Sequence, residues 1–219
     1  MRSKYLNSKV HRSASKLHRS AGKDLPRRSS QAGCIVLALL LLTGACRNDS
    51  RSYSGLVKKE LASGKISNQL LLDIRFGMTR KEFYSYCWTM HNKGTFEDGA
   101  NSTAVLYRLR EPGQLRYPAS MNFYPEFRKD SIYKMWAQVE YDAWAPWNRH
   151  LFADSLMLDV VRLYSQWYPG NDFLKLTDPR RGTIYVKVDG NRRIIVGKKD
   201  DAHVNVDYTN LLAENVKQP

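Results

Sequence analysis

From residue 55 onward the hydrophobic positions switch between two periods. A short helix is expected through Leu56, Val57 and Leu61, ending near Gly64. Leu70, Leu72, Ile74 and Phe76 then alternate with Leu71, Asp73 and Arg75, a two-residue period that predicts a strand stopped by Gly77. Behind it, Thr79-Arg80-Lys81-Glu82 has the capping-box arrangement, in which hydroxyl and carboxylate each satisfy free backbone donors. Phe83, Tyr86, Cys87 and Met90 follow at helical spacing, so a helix is predicted to about His91.

After a Gly- and Asn-rich loop, Asn92 to Ser102, the two-residue period returns. Val105, Tyr107 and Leu109 predict one strand, Met121 and Phe123 a second, with a turn around Pro112-Gly113 between them. Past a turn near Lys129-Asp130, Tyr133, Met135, Ala137, Val139 and Tyr141 face one way, and Lys134, Gln138 and Glu140 the other. Phe152, Leu156, Val160, Leu163 and Trp167 restore the helical period until Pro169-Gly170. Ile184, Val186 and Val188 meet Asp189-Gly190, a hairpin signal, before Arg193 to Val196, and a last strand runs from Val204 to Tyr208. Helix and three strands therefore occur twice. The expected class is α+β, a single domain with helices packed on antiparallel sheet and the outline of a tandem α-β-β-β duplication.

Ahead of this domain the pattern is different in kind. Met1 to Ser30 is polar and basic, and Pro26-Arg27-Arg28 precedes an apolar run, Cys34 to Leu42, that is too short to span a bilayer as a helix. Basic flank, short apolar segment and small residues make a secretory signal. The charge distribution agrees: nine of the 35 Lys and Arg but one of the 21 acids precede Cys46, so +8 of the net +14 belongs to the leader. Binding to nucleic acid is accordingly not expected of the domain.

Leu41-Leu42-Thr43-Gly44-Ala45-Cys46 resembles the lipobox of bacterial lipoproteins. The resemblance implies cleavage before Cys46, acylation of its thiol and an anchor in the cell envelope, expected at the outer membrane; ordinary secretory cleavage is the alternative. The organisation so read is 1–45, signal peptide with a basic extension; 46–54, lipidated Cys and polar tether; 55–212, α+β domain; 213–219, polar tail. The basic extension is long for such a leader, which points to an internal start at a non-Met codon. Of the three cysteines, Cys34 leaves with the leader and Cys46 takes the lipid, so Cys87 has no partner and the domain stands on its core.

The segment Ile74-Arg75-Phe76-Gly77-Met78-Thr79-Arg80-Lys81-Glu82 resembles the strand, Gly-Met-Thr/Ser turn and capped helix of bacterial envelope lipoproteins. That group includes the small lipoprotein of the barrel-assembly machinery and, more distantly, β-lactamase inhibitor protein. The resemblance implies helices laid on an antiparallel sheet in tandem repeats, and carries no binding residue across.

Catalytic arrangements are hard to find. The chain has no Gly-x-Ser-x-Gly elbow, His-Glu-x-x-His, phosphate-cradling Gly loop or Cys-x-x-Cys. Cys87, one turn from His91, is a candidate nucleophile, but it lies on the predicted core face. Glu140 and Asp142 could share a strand face as a carboxylate pair, but a solvated strand face is the expected reading. His91, His150 and His203 sit on separate elements without ligand spacing, so no metal and no cofactor is expected.

Recognition chemistry is better represented. Arg180-Arg181, Arg192-Arg193 and Lys198-Lys199 fall in or beside turns of the C-terminal sheet, and Arg108, Arg110 and Arg116 in the first. In Asp142-Ala143-Trp144-Ala145-Pro146-Trp147-Asn148, Asn148 is the expected N-cap, so that Trp147 and Phe152 form a hydrophobic staple. Trp144 has no such structural role and becomes, with Arg192 and Arg193, the candidate binding set; the competing reading folds Trp144 back over the sheet edge. The expectation is a non-catalytic envelope lipoprotein, membrane-bound through its lipid, that contacts an envelope protein. The alternative is a small-ligand or glycan binder using aromatics beside Arg.

Overall fold

The computed structural model describes residues 52–99 and 103–214. Within them lie helices α1 (Tyr53–Ala62), α2 (Arg80–Asn92), α3 (Ala153–Trp167) and α4 (Leu211–Glu214). The strands are β1 (Phe96–Asp98), β2 (Val105–Leu109), β3 (Ala119–Arg128), β4 (Ser131–Tyr141), β5 (Leu174–Asp178), β6 (Gly182–Asp189), β7 (Arg192–Lys198) and β8 (His203–Asn210). They form one antiparallel sheet in the order β1-β2-β3-β4-β8-β7-β6-β5. The class is α+β. The order is a mirror of itself about the β4–β8 pair, which runs in register from Lys134↔Thr209 to Glu140↔His203.

Each half thus has four strands where the pattern predicts three. β1 and β5 are the two edges of the sheet. β1 is Phe-Glu-Asp, too short for alternation to show, and it lies inside the segment expected to be loop. An edge strand packs on one neighbour only, so little in its composition announces it.

The strand predicted over Leu70–Phe76 does not form. Leu72 takes a left-handed φ of 51°. The chain folds back on itself there, with Leu70 N–H donating to Ile74 O (2.8 Å) and Ile74 N–H to Leu71 O (2.9 Å). Its only ladder contact is an isolated bridge, Gln69↔Arg75. Leu70 and the adjacent Leu71 are both buried, with Ile74 and Phe76, which a two-faced strand could not arrange. The apolar spacing therefore reported burial rather than pleat. Gly77 (φ 84°) makes the exit, and Gly77 N–H to Ile132 O (2.9 Å) with Ile132 N–H to Met78 O (3.0 Å) staple the turn to β4. The capping box at Thr79 and Glu82 is present.

β3 and β4 are joined by a two-residue turn in which Lys129 and Asp130 both have positive φ, the conformation that matches strand twist in a tight hairpin. A register shift at Glu126/Phe127 sends Ile132 inward and leaves Tyr133 half-buried, so the alternation of β4 begins at Met135 rather than Tyr133.

Two apolar clusters hold the sheet. The larger joins Phe83 of α2 and Leu156, Val160 and Leu163 of α3 to Met121, Phe123, Met135, Ala137, Val139, Val196, Val204 and Val206. On the opposite face, Ile184, Val186 and Val188 of β6 pack with Leu56 of α1 and Leu211 of α4. Register explains the switch: Val186 stands opposite Ile195, not opposite Ile194 or Val196. The Gly190-Asn191 hairpin turn has φ 56° at Gly190, and a Cβ there would strike Lys65 O, so glycine is required twice over.

Candidate interaction surface

Side chains on β2, β3, β4 and β8 that point away from the large cluster form three cross-strand rows. They read Arg108–Ser120–Glu140–His203, Leu106–Asn122–Gln138–Asn205 and Trp136–Asp207. Their inward neighbours Met121, Val139 and Val204 are fully buried, whereas these residues are half-exposed and Trp136 is 36% exposed. Among the described helices, α1 packs on this face at β6, and α4 at the end of β8, where Glu214 meets Arg193 and Lys134. The middle of the sheet therefore presents a polar surface with one large ring in it.

At the upper end of the rows a cleft of about 610 Å³ is lined by Glu140, Trp144, Phe152, Asp200, Asp201 and His203, among others. His203 sits between two carboxylates: Nε2 is 3.3 Å from Glu140 and Nδ1 2.8 Å from Asp200. Burial pushes the Asp200 carboxyl up, but hydrogen bonds from the His203 ring and from the His203 and Ala202 backbone outweigh it and hold the carboxyl below its ordinary value. Asp201 pairs with Lys198 (3.0 Å) and its carbonyl accepts Ala153 N–H, one of the free donors at the start of α3.

The two tryptophans of the adjoining loop exchange the roles expected of them. Residues Arg149–Leu151 form a 3-10 turn, and α3 begins after Phe152, which occupies the N-cap position without a side-chain bond. Asn148 is not the cap of the α-helix, so the staple of Trp147 on Phe152 has no basis; Trp147 is 80% exposed. Trp144 instead tilts against Phe152 at 6.1 Å and packs on the large cluster, and its buried Nε1 has no partner among the described residues. Trp144 is one wall of the cleft rather than a free anchor.

Arg192 and Arg193, expected as a basic surface patch, begin β7. Arg192 is buried: it donates to Gln69 O (2.8 Å) and Asp189 Oδ2 (3.3 Å) and lies 4.4 Å over the Tyr168 ring. Arg193 donates to Tyr53 Oη (2.9 Å) and Glu214 (3.0 Å), fastening α1 and α4 to the sheet. Arg192 shares a strand face with Ile194 and Val196, a signal visible in the residue alternation that the turn reading passed over. The other clusters are paired as well: Arg181 with Asp207, Lys198 with Asp154, Arg108 with Glu97 and Arg116 with Asp159.

The candidate reactive groups do not assemble. Ser120 Oγ accepts from Arg108 (2.9 Å) and donates to Asp142, which also pairs with Arg110 (3.3 Å). Ser120 and His203 are separated by β4, about 9.5 Å at the ordinary strand spacing, so the imidazole is not a base for that hydroxyl. Glu140 and Asp142 each have their own partner, His203 and the Arg108–Arg110 pair. Burial pushes the Cys87 thiol up to about 12, and His91 stacks on Trp88. His150 contacts the Tyr117 ring. Among the described residues no three His, Cys, Asp or Glu gather as a metal-holding group. Cys46 lies outside the described residues. Comparison with known protein families, with curated proteins and with solved structures finds no match for this chain.

Proposed function

We propose that this chain is a lipid-anchored envelope protein whose domain binds a protein partner, without catalysis, through the open face of the β3–β4–β8 sheet. The observation that carries the reading is that face: half-exposed polar rows surround Trp136, while the ionisable side chains nearby are engaged with one another. A rigid aromatic ring in a polar surround is the composition of an interface centre, because it supplies contact area with little entropy lost. The lipobox resemblance supports the anchor, at the outer membrane. The mirrored strand order, with a helix ahead of each group of four strands, supports descent from a duplicated helix-and-sheet unit.

Two arms test the reading. Cys46→Ala should move the protein from the detergent to the aqueous phase on partitioning; equal partitioning of both forms removes the anchor. A photo-crosslinking residue at Gln138, on the open face, should give one discrete adduct in intact envelopes, and the same residue at Leu158, on the outer side of α3, should give none. Adducts from both positions, or from Leu158 alone, remove the sheet face as the interface.

A further inference from the structure

A second surface lies at the far edge of the sheet. Tyr84, Trp88 and His91 follow one another at four and three residues, so they share one stripe of α2. Helix packing does not hide this stripe: Trp88 is 67% exposed and Tyr84 is also exposed. Between the stripe and the β1–β2 edge runs a groove of about 380 Å³, with Phe96 and Val105 on its far wall and Glu97 and Asp98 at its rim. That volume is within the range of small-molecule sites.

Its geometry is fixed before any ligand arrives. Trp88 stacks on His91 with ring centroids 6.1 Å apart and planes 23° from parallel. Tyr84 Oη shares a hydrogen bond with Tyr124 Oη at 2.6 Å, and Phe96 is locked edge-on against Tyr86 and Phe123. Glu97 is held ionised by the hydrogen bonds and charge of Arg108. The Asp98 carboxylate has no polar partner among the described residues.

The chemistry of the groove is one-sided. Its rim carboxylates accept hydrogen bonds and no Lys or Arg lines it, so an anionic ligand is disfavoured. Its floor and one wall are aromatic. A ligand that fits both has a flat apolar face and a perimeter of neutral hydroxyl donors. We propose that the groove between α2 and β1–β2 is a binding subsite for an uncharged pyranose ring of a glycan, stacked on Trp88 with its hydroxyls donating to Asp98. The inference is argued separately from the partner surface on β3–β4–β8; Arg108 of those rows reaches the groove's rim only through Glu97.

The test is calorimetric titration and saturation-transfer NMR of the full chain with two neutral probes, chitotriose and cellotriose. Trigalacturonate and tetramethylammonium serve as anionic and cationic controls. At least one neutral trisaccharide should bind. Trp88→Ala should weaken it about tenfold or more with the melting temperature unchanged, and Trp88→Phe should recover part of the loss. Trp147→Ala, which removes an even more exposed ring outside the groove, should leave the affinity as it was. The proposal is overturned if neither neutral probe saturates, if Trp88→Ala binds as wild type does, or if either charged control binds as tightly as the sugars.

Discussion

Among the described charged residues Asp189 is the least exposed, at 1%. Its carboxylate is buried between Lys187 Nζ (3.5 Å) and Arg192 Nη2 (3.3 Å), whose side chains are themselves almost wholly buried. It also accepts the backbone N–H of Asn171 at 2.8 Å. Around it, Glu60 of α1 accepts Gly190 N–H (2.8 Å), Asn191 Oδ1 accepts Ser67 N–H (2.6 Å), and Arg192 holds Gln69 O. The hairpin tip thereby ties α1, the segment after it and the loop after α3 to the sheet. In Asp189→Ala two cations stay buried without their anion, and a backbone donor loses its acceptor. Removing one partner of a buried pair destabilises by about 3–5 kcal/mol. For a domain of this size each kcal/mol lowers the melting temperature by about 2–4 °C, so a fall of about 6–20 °C is expected. Urea denaturation of wild type and Asp189→Ala measures it, with the m-value showing whether unfolding stays two-state. Surface salt bridges contribute about 0–1 kcal/mol, so a loss below about 1 kcal/mol would show that water reaches the cluster and refute the reasoning.

Other consequences follow from the same contacts. Trp144→Ala should cost about 2 kcal/mol by emptying the space against Phe152, whereas Trp147→Ala should stay within about 0.5 kcal/mol, and paired melting curves decide between them. Cys87 should resist alkylation at pH 8 until the protein unfolds, because a thiol raised to about 12 leaves about one thiolate in 10⁴. Fast native labelling would contradict it. Asp159 is buried, which by itself raises its carboxyl, but hydrogen bonds from Tyr141 (2.7 Å) and Arg116 (2.9 Å) bring it below the ordinary value. Its contribution is therefore complete above the unfolded value of about 3.9 and is lost as the pH falls through the folded one. The acid limb of a stability-against-pH curve should flatten in Asp159→Asn, and an unchanged limb would assign acid unfolding to other carboxylates.

Where a side chain's neighbours are close in sequence, the residues announced the structure. Thr79 and Glu82 cap α2 from three residues apart, and Asp189-Gly190 marks the β6–β7 hairpin. The period of Met135, Ala137, Val139 and Tyr141 is the buried face of β4. What was not legible depends on distant partners. Leu70 to Phe76 alternates as a strand does, yet finds no strand beside it and folds into a plug of the core. β1 owes its existence to pairing with β2 across a loop. The surface was hardest, because a charge is exposed or engaged according to residues far along the chain. Arg192 meets Gln69, 123 positions away, and Arg193 meets Tyr53, 140 away. The candidate set inverted for that reason: Arg192 and Arg193 became internal ties, Trp144 a cleft wall, and Trp136 and Trp88, which alternation and helical spacing alone assign to no function, joined Trp147 as exposed rings.

The central claim is that the open sheet face centred on Trp136 receives a protein partner. Its most direct test is quantitative recovery, from solubilised envelopes, of the partner that crosslinks at position 138, using wild type, Trp136→Ala and Leu158→Ala at equal expression. Trp136 is half-exposed, and its loss should leave the domain folded. Recovery should fall about tenfold or more in Trp136→Ala, the effect of losing an aromatic anchor of about 1.4 kcal/mol or more, and should be unchanged in Leu158→Ala. Equal recovery from all three proteins would contradict the account.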